Sequence, residues 1–524
     1  MTEPPSSKGD SPVQIRTMLK SVASMFSKIR LLLGFFLLPA LCYSQVSANF
    51  STTPYTVPAN ALGVNMTTDP SSTINSSLSG AKFTRGRMFT HMDQIFSASN
   101  CTSQTCANFS TVNTNLTAFA AIPIHPILVL IGTPAWLQPT WASSCTNATH
   151  APPTSDSSWG TMAASVVAYV DSSFPGLVTD YEIWNEPDDS ANGSLCSQLG
   201  TDADRLTDYL SIYGGAGPAM KTQASTDGVA IKIGGPVLAT TADLDEWLLN
   251  GTTGVPHGLL TDSATYPYVD FVSYHHYLNG STYANISTLV TATTNQIPTK
   301  LNNAFDDVVM GDQPSASSTP IYISETNDSA GQDPTGTDCC RNKAPYSGPW
   351  NVLSVIREFS GVYSDTNAKI PYLYYYTVEQ HAGFCMFGLI DTDMDCNNTA
   401  FSAYPQYYAY KQLELAGLQG NASGGALLTG TQPTVPSGTF GMSYKTQGTS
   451  PSRVIVVSNP TTTDFTSQTW TFNNVSSVTT ANAYTLNQNG QGITTTHPTL
   501  TLVGTTGTVT VEIPANSAVA VTIQ

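Results

Sequence analysis

The sequence predicts an α/β protein: a (β/α)8 TIM barrel followed by a C-terminal antiparallel β-sandwich domain. Three observations predict it. Eight short apolar segments recur over residues 61–378 with helical or loop stretches between them, the pattern of repeated βα units and a parallel sheet. One of them, Ile127-Leu128-Val129-Leu130-Ile131, is apolar throughout, as a parallel strand covered on both faces should be. Beyond about residue 416 the texture changes to Thr, Ser, Gly, Asn and Val, and helical periodicity vanishes.

The eight segments are 61–66, 82–87, 125–132, 180–185, 231–236, 269–277, 321–325 and 372–378. Helices are expected at 162–172 and 206–223. A third is expected at 351–364, where Val352, Val355, Ile356 and Phe359 keep a helical spacing. Eight strands with seven crossovers is the count of a closed barrel. Alternating runs at 452–457, 469–473, 508–513 and 518–523 predict the sandwich, to which 50–57 is expected to add a strand. The chain therefore divides into a signal region 1–44, an N-terminal strand region 45–60, a catalytic barrel 61–415 and an accessory sandwich 416–524.

Lys28 and Arg30 precede an apolar run, 31–41, too short to span a bilayer, and small residues then place cleavage near Ser44 or Ala48. This layout predicts secretion, without stable membrane association after cleavage. Residues 1–44 carry five basic and two acidic groups, so their removal takes the formal charge from −17 to −20. Such an acidic chain, with no basic stripe, excludes a nucleic-acid partner. Of nine cysteines, eight remain after Cys42, an even count that favours disulfides in an exported chain. Cys101–Cys106 and Cys385–Cys396 are near enough in sequence to staple local loops, though spacing does not fix the pairing. Asn-x-Ser/Thr sequons are dense, with Asn65, Asn147 and Asn327 among them, which leans toward a glycoprotein. No Cys-x-x-Cys pair occurs, and Asp391, Asp393 and Asp395 lack the glycine turn and terminal glutamate of a calcium loop. Neither a metal nor a cofactor is expected.

The chemistry is carried by two strand tips. Residues 180–187, Asp-Tyr-Glu-Ile-Trp-Asn-Glu-Pro, deliver Asn185 and Glu186 to the carboxyl end of one strand, and Ile321-Tyr322-Ile323-Ser324 delivers Glu325 on another. Two carboxylates on one barrel face are what glycoside hydrolysis needs: one donates a proton to the leaving oxygen, and the other attacks or stabilises an oxocarbenium-like carbon. The acid must stay protonated near neutrality, so Glu186 requires an apolar or anionic setting, expected from Trp184 and Tyr181. The nucleophile must stay ionised, which requires a cation and donors. Arg85 is the expected cation, with Arg87 on the same side by strand alternation. His275 and Tyr277 share a side with Ser273. Tyr277 offers a hydroxyl donor for Glu325 and His275 a partner for a sugar hydroxyl, the alternative being a pair of satisfied core residues, while His276 faces the other way as a structural residue. Trp136, just past the third strand, either offers a face for a pyranose ring or packs in the core.

Residues 181–188, Tyr-Glu-Ile-Trp-Asn-Glu-Pro-Asp, closely resemble the acid/base strand of glycoside hydrolase clan A, and most of all family 39, which includes β-xylosidases and α-L-iduronidases. Further matches keep the family's order. Phe83-Thr84-Arg85 resembles its second strand, 127–137 ending Thr-Pro-Ala-Trp-Leu its third, 271–277 its sixth, and Ile323-Ser324-Glu325-Thr326-Asn327 its seventh. The resemblance covers roughly residues 60–415. It implies Glu186 as acid/base, Glu325 as nucleophile and Asn185 as ligand of the sugar 2-hydroxyl. Where the family usually shows Trp after strand eight, this chain has Tyr374-Tyr375-Tyr376-Thr377-Val378-Glu379. Glu379 and His381 are then near enough to line the cleft and to mark a sugar other than xylose. The expectation is a secreted, metal-independent, retaining and exo-acting β-xylosidase-like enzyme on polysaccharide fragments. Two alternatives stand beside it. One is a β-glucuronidase-like clan A enzyme, with Arg341 and Lys343 as candidate uronate partners, and the other a catalytically inactive carbohydrate-binding barrel.

Overall fold

The structure is a computed structural model that describes residues 45–59, 61–66, 77–122, 124–189, 195–239, 244, 246–277, 319–327, 347–360, 372–375, 379–380, 389–391, 402–419, 425–448 and 450–524. Residues 360, 379, 380, 390, 391 and 402 are described by backbone alone. The signal region 1–44 lies outside the described residues, as do Cys339, Cys340, Cys385, Cys396, Asp393, Asp395, Arg341, Lys343 and His381. Among the described residues, no helix is long and apolar enough to cross a membrane.

Two short N-terminal strands come first, β1 (Val46–Asn49) and β2 (Tyr55–Val57). Eight parallel strands then close a barrel in the expected order: β3 (Leu62–Met66), β4 (Arg85–His91), β5 (His125–Ile131), β6 (Asp180–Ile183), β7 (Lys232–Leu238), β8 (Phe271–Tyr277), β9 (Ile321–Asn327) and β10 (Tyr372–Tyr375), with β10 pairing back to β3. Strand β4 starts later than the 82–87 expected from sequence. Lys82 takes a left-handed backbone (φ 50°), which turns the chain before the sheet, and Phe83 drops into the core. That shift of register decides which arginine reaches the site.

The helices that cover the sheet are built from local signals. Ser155 caps the helix Asp156–Ser173 by accepting from Ser158 N, and Thr201 caps Asp202–Asp227 by accepting from Asp204 N. The second helix ends at Gly228 in the left-handed region (φ 75°). The two helices cross so closely at Gly160 and Gly215 that a Cβ on Gly160 would lie 2.2 Å from the Gly215 carbonyl oxygen. A Gly160→Ala change would therefore force them apart.

After a three-stranded patch, β11 (Glu379–Gln380), β12 (Ile390–Asp391) and β13 (Ser402–Ala403), the chain forms the sandwich. One sheet takes β1 in parallel register against Phe465–Asn473, and the other takes β2 against Ala426–Leu428. The N-terminal segment thus contributes to both layers, where one added strand was expected. Trp470 is fully buried between the sheets, its indole N–H donating to Val511 O at 3.1 Å. Tyr444 is buried on the barrel side and donates to Ala416 O at 3.0 Å. The two units share one apolar core: Met442, Tyr444, Val454, Val456, Leu486, Ala518 and Ala520 belong to the same buried cluster as the barrel's helices. Gln412 adds hydrogen bonds to Tyr484 O (2.6 Å) and Ala518 O (2.7 Å) across the seam.

Candidate active site

Strand alternation sends Asp180 and Glu182 of β6 into the barrel and Tyr181 and Ile183 outward against the helices. At its carboxyl end the chain leaves the strand by a strained turn. Trp184 has φ 67° and Glu186 φ 44°, left-handed values that are unfavourable for residues with a Cβ. Three contacts hold the turn. Trp184 N donates to Leu130 O at 2.9 Å, the Trp184 indole packs 6.2 Å from that of Trp159, and Glu186 N donates to Val237 O at 2.9 Å. Val237 is itself left-handed (φ 61°), a genuine outlier for a β-branched residue. Deviations clustered this way are characteristic of sites where geometry is held by the surrounding fold.

The turn brings Glu186 beside His275, whose Nδ1 lies 2.7 Å from Glu186 Oε1 and 3.4 Å from Glu325 Oε2. One oxygen of each glutamate and one ring nitrogen of His275 lie within 4.8 Å of one another. Glu325, at the tip of β9, accepts from Arg87 Nη1 at 2.6 Å and from the Tyr277 hydroxyl. Donors of that kind suit a carboxylate anion. Glu186 sits differently. Burial, reinforced by Asp189 and only partly offset by Arg87, raises its pKa from 4.5 to about 7. The apolar shielding does not come from the expected rings, because Tyr181 and Trp184 both lie in the core between sheet and helices. Burial also lowers His275 to about 4 against the pull of Glu325, so its imidazole is neutral near pH 7.

Among the described residues, the cation of the site is Arg87. It has no solvent exposure and makes four bonds: Nε to Glu182 Oε2 (2.6 Å), Nη1 to Glu325 Oε1 (2.6 Å) and to Asn65 Oδ1 (3.0 Å), and Nη2 to Asn185 Oδ1 (2.8 Å). The assignment of Arg85 to this site is corrected. Because β4 begins at Arg85, that residue stands one pleat repeat nearer the amino end of the barrel, where it pairs with Asp180 at 3.2 Å and stacks 3.8 Å from the Tyr372 ring. Asn185 is buried and held by Arg87, next to Glu186. Trp136 is half-buried on a single 3-10 turn, packs against the core and donates from Nε1 to Phe96 O at 2.8 Å. The side chain of Glu379 lies outside the described residues.

Two site residues were not read from the sequence. Glu182 lies inside the same strand as Glu186, two positions inward of Trp184, and alternation alone points it into the barrel. Asn65 had been noticed only as a sequon. It is buried, bonded to Arg87, and donates to Ser324 O at 2.9 Å, which excludes a glycan on the folded chain. Asn327 is equally buried. His276 is structural as expected, pairing with buried Glu358 at 2.6 Å behind the sheet. The loops on the catalytic face carry the Cys101–Cys106 disulfide, and a second, Cys145–Cys196, ties the loop after β5 to that after β6.

No curated protein has a matching sequence. Solved structures match in fold. A family 39 β-xylosidase from Caulobacter crescentus is 14% identical with a TM-score of 0.60, the match covering 91% of this chain and 99% of that one. A family 30 endoxylanase from Clostridium papyrosolvens is 14% identical, with a TM-score of 0.59 and the same two coverages. A family 39 enzyme from Xanthomonas axonopodis pv. citri is 13% identical, with a TM-score of 0.59 over 93% of this chain and 99% of that one. The family model for glycosyl hydrolases family 39 matches residues 57–346, more than half of the sequence, and the chain belongs to that family of glycosidases.

Proposed function

We propose that this glycosidase works with retention of configuration, with Glu325 as nucleophile and Glu186 as general acid and base. One observation carries the reading: one oxygen of Glu186 and one of Glu325, carboxylates in unlike settings, lie within 4.8 Å of each other, a close approach that favours the roughly 5–5.5 Å group separation of retaining enzymes over the ~6.5–9.5 Å that inversion needs to seat a water. In the first step a Glu325 oxygen bonds to the anomeric carbon. The glycosidic bond breaks, and its electron pair leaves on the aglycone oxygen, which takes the proton of Glu186. In the second step a water gives a proton to Glu186 and attacks the same carbon from the opposite face. The ester bond breaks, and Glu325 leaves as a carboxylate. Tyr277 and Arg87 hold Glu325 as an anion before attack, His275 fixes the orientation of the Glu186 carboxyl, and Asn185 is positioned for the 2-hydroxyl.

For substrate, β-linked xylosides and their oligomers are favoured. Support comes from the resemblance of the five strand motifs and from the xylan-related activities named for the structural relatives. Export fits the sequence layout at 28–48, and exo action is carried over from the β-xylosidase resemblance alone. Proton NMR of the first-formed sugar from an aryl xyloside tests the mechanism. Release of the β-anomer, mutarotating later to the α, is the expected result; initial α-anomer rejects double displacement.

A further inference from the structure

We propose that Glu182 is a positioning residue for this reaction: its carboxylate divides the charge of Arg87 with Glu325, so that one buried arginine holds the nucleophile without drawing the proton from Glu186. The inference deepens the roles just assigned to Glu186 and Glu325, and rests on them.

The geometry is that of a fork with a carboxylate on each tine. Arg87 is completely buried, and its Nε and Nη1 each meet a carboxylate oxygen at 2.6 Å, from Glu182 and Glu325 respectively. Asn65 and Asn185 supply neutral acceptors for two more of its donors. Glu182 is fully buried, and its second oxygen, Oε1, has no hydrogen-bond partner among the described residues. A second buried carboxylate on one guanidinium is costly unless it has a use, since desolvating an ion costs several kcal/mol.

The use follows from the charge count through the cycle. Glu325 spends its charge when it becomes the glycosyl ester. Were Arg87 paired with Glu325 alone, every such turnover would leave an uncompensated buried cation beside Glu186 and beside an anomeric carbon that is itself turning positive. With Glu182 in place the Arg87–Glu182 pair stays neutral whether or not Glu325 is esterified. Among the described residues, the other charged and titratable groups are few. Glu186 faces His275 from β8, Glu325 from β9, Arg87 from β4 and Asp189 from its own loop. Glu182 faces Arg87 from β4, His275 from β8 and the Tyr209 hydroxyl from the helix Asp202–Asp227. None of these is a second cation able to take over from Arg87.

A merely structural Glu182 would be replaceable by Gln, whose carbonyl still accepts from Arg87 Nε. The test is the pH profile of kcat/KM on a phenyl glycoside, whose poor leaving group needs the acid. Three variants are compared with the wild type, each checked for folding by its thermal melt. Glu186→Gln should lose the basic limb altogether. Glu182→Gln should move that limb to lower pH by about one unit, because removing a negative charge makes Glu186 release its proton more readily. Glu182→Asp keeps the charge, so its limb should stay with the wild type even though kcat falls. A Glu182→Gln limb that does not move, whatever the loss of rate, overturns the proposal. So does a Glu182→Asp limb that is displaced, and this variant decides alone if the glutamine variant does not fold. If Glu186→Gln keeps the limb, the failure lies in the acid assignment itself, and this inference falls with it.

Discussion

Two arginines stand two residues apart on β4, point into the same barrel and pair with carboxylates two residues apart on β6, yet they do different things. Arg85 and Asp180 lie at the amino end, Arg85 against the Tyr372 ring (3.8 Å) and Asp180 accepting from the Tyr322 hydroxyl (3.4 Å), two rings that meet edge-on at 4.9 Å. One cation meets one anion there, and aromatic faces close over the pair. Arg87 and Glu182, one pleat repeat higher, leave hydrogen-bonding capacity open: a second carboxylate on the same guanidinium, Asn185 beside it, and Glu186 with a raised pKa at the rim. A buried ion pair therefore becomes an active site through the groups left over after pairing. In this family of barrels those groups belong at the carboxyl ends of the strands.

The sharpest break of the comparison is Glu325→Gln. It keeps the shape of the proposed nucleophile but not its charge, and kcat should fall by ~10³-fold or more on an aryl glycoside. Near-normal turnover would move the nucleophile elsewhere. Next comes Arg87→Met, which leaves Glu182 and Glu325 buried without their cation. Activity should fall by at least ~10²-fold, and chemical denaturation should show a loss of ~3–5 kcal/mol. Arg85→Met is its control at the other end of the same strand: a loss of ~1–3 kcal/mol, since Arg85 keeps some solvent exposure, with kcat/KM within about threefold of wild type. A large loss of activity there would erase the distinction between the two ends.

The smallest effect is a pH dependence. A carboxyl whose pKa rises from 4.5 to about 7 on folding favours the protonated native state. Its contribution is therefore present below about pH 4.5 and is lost as pH rises through about 7, by at most ~3 kcal/mol. Melting curves of wild type and Glu186→Gln should converge at low pH and separate above neutrality, the variant becoming the more stable. Over the same range the wild-type kcat/KM should fall with an apparent pKa near 7.

Much of this was legible in the chain. The apolar run at 127–131 and the Asn-Glu-Pro turn required a parallel strand and a carboxylate at its tip, and β5 and the turn after β6 are built that way. Tyr277 was put on the inward side of its strand by alternation and beside Glu325 by the family resemblance, and it donates there. The cation was harder, because alternation puts Arg85 and Arg87 on the same side and the strand's start decides which reaches the rim. That start depends on the left-handed backbone at Lys82, which no local pattern announces. Asn65 and Glu182 were hidden for another reason. Their partners are 22 and 95 residues away in sequence, so only the closed barrel shows that they share Arg87. The disulfide between Cys145 and Cys196 was out of reach of spacing too, since it spans 51 residues and joins two different βα loops.

The most direct test of the site assigned to the carboxyl end is to trap the proposed glycosyl-enzyme intermediate. Incubation with a 2-deoxy-2-fluoro glycoside carrying a dinitrophenyl leaving group, of whichever sugar the enzyme hydrolyses, should stall the second step. Mass spectrometry of the proteolysed protein should then find one added fluoroglycosyl group, on the peptide containing Glu325. A label on Glu186 or Glu182 instead, or first-formed sugar of inverted configuration with no covalent label at all, would contradict the site described here.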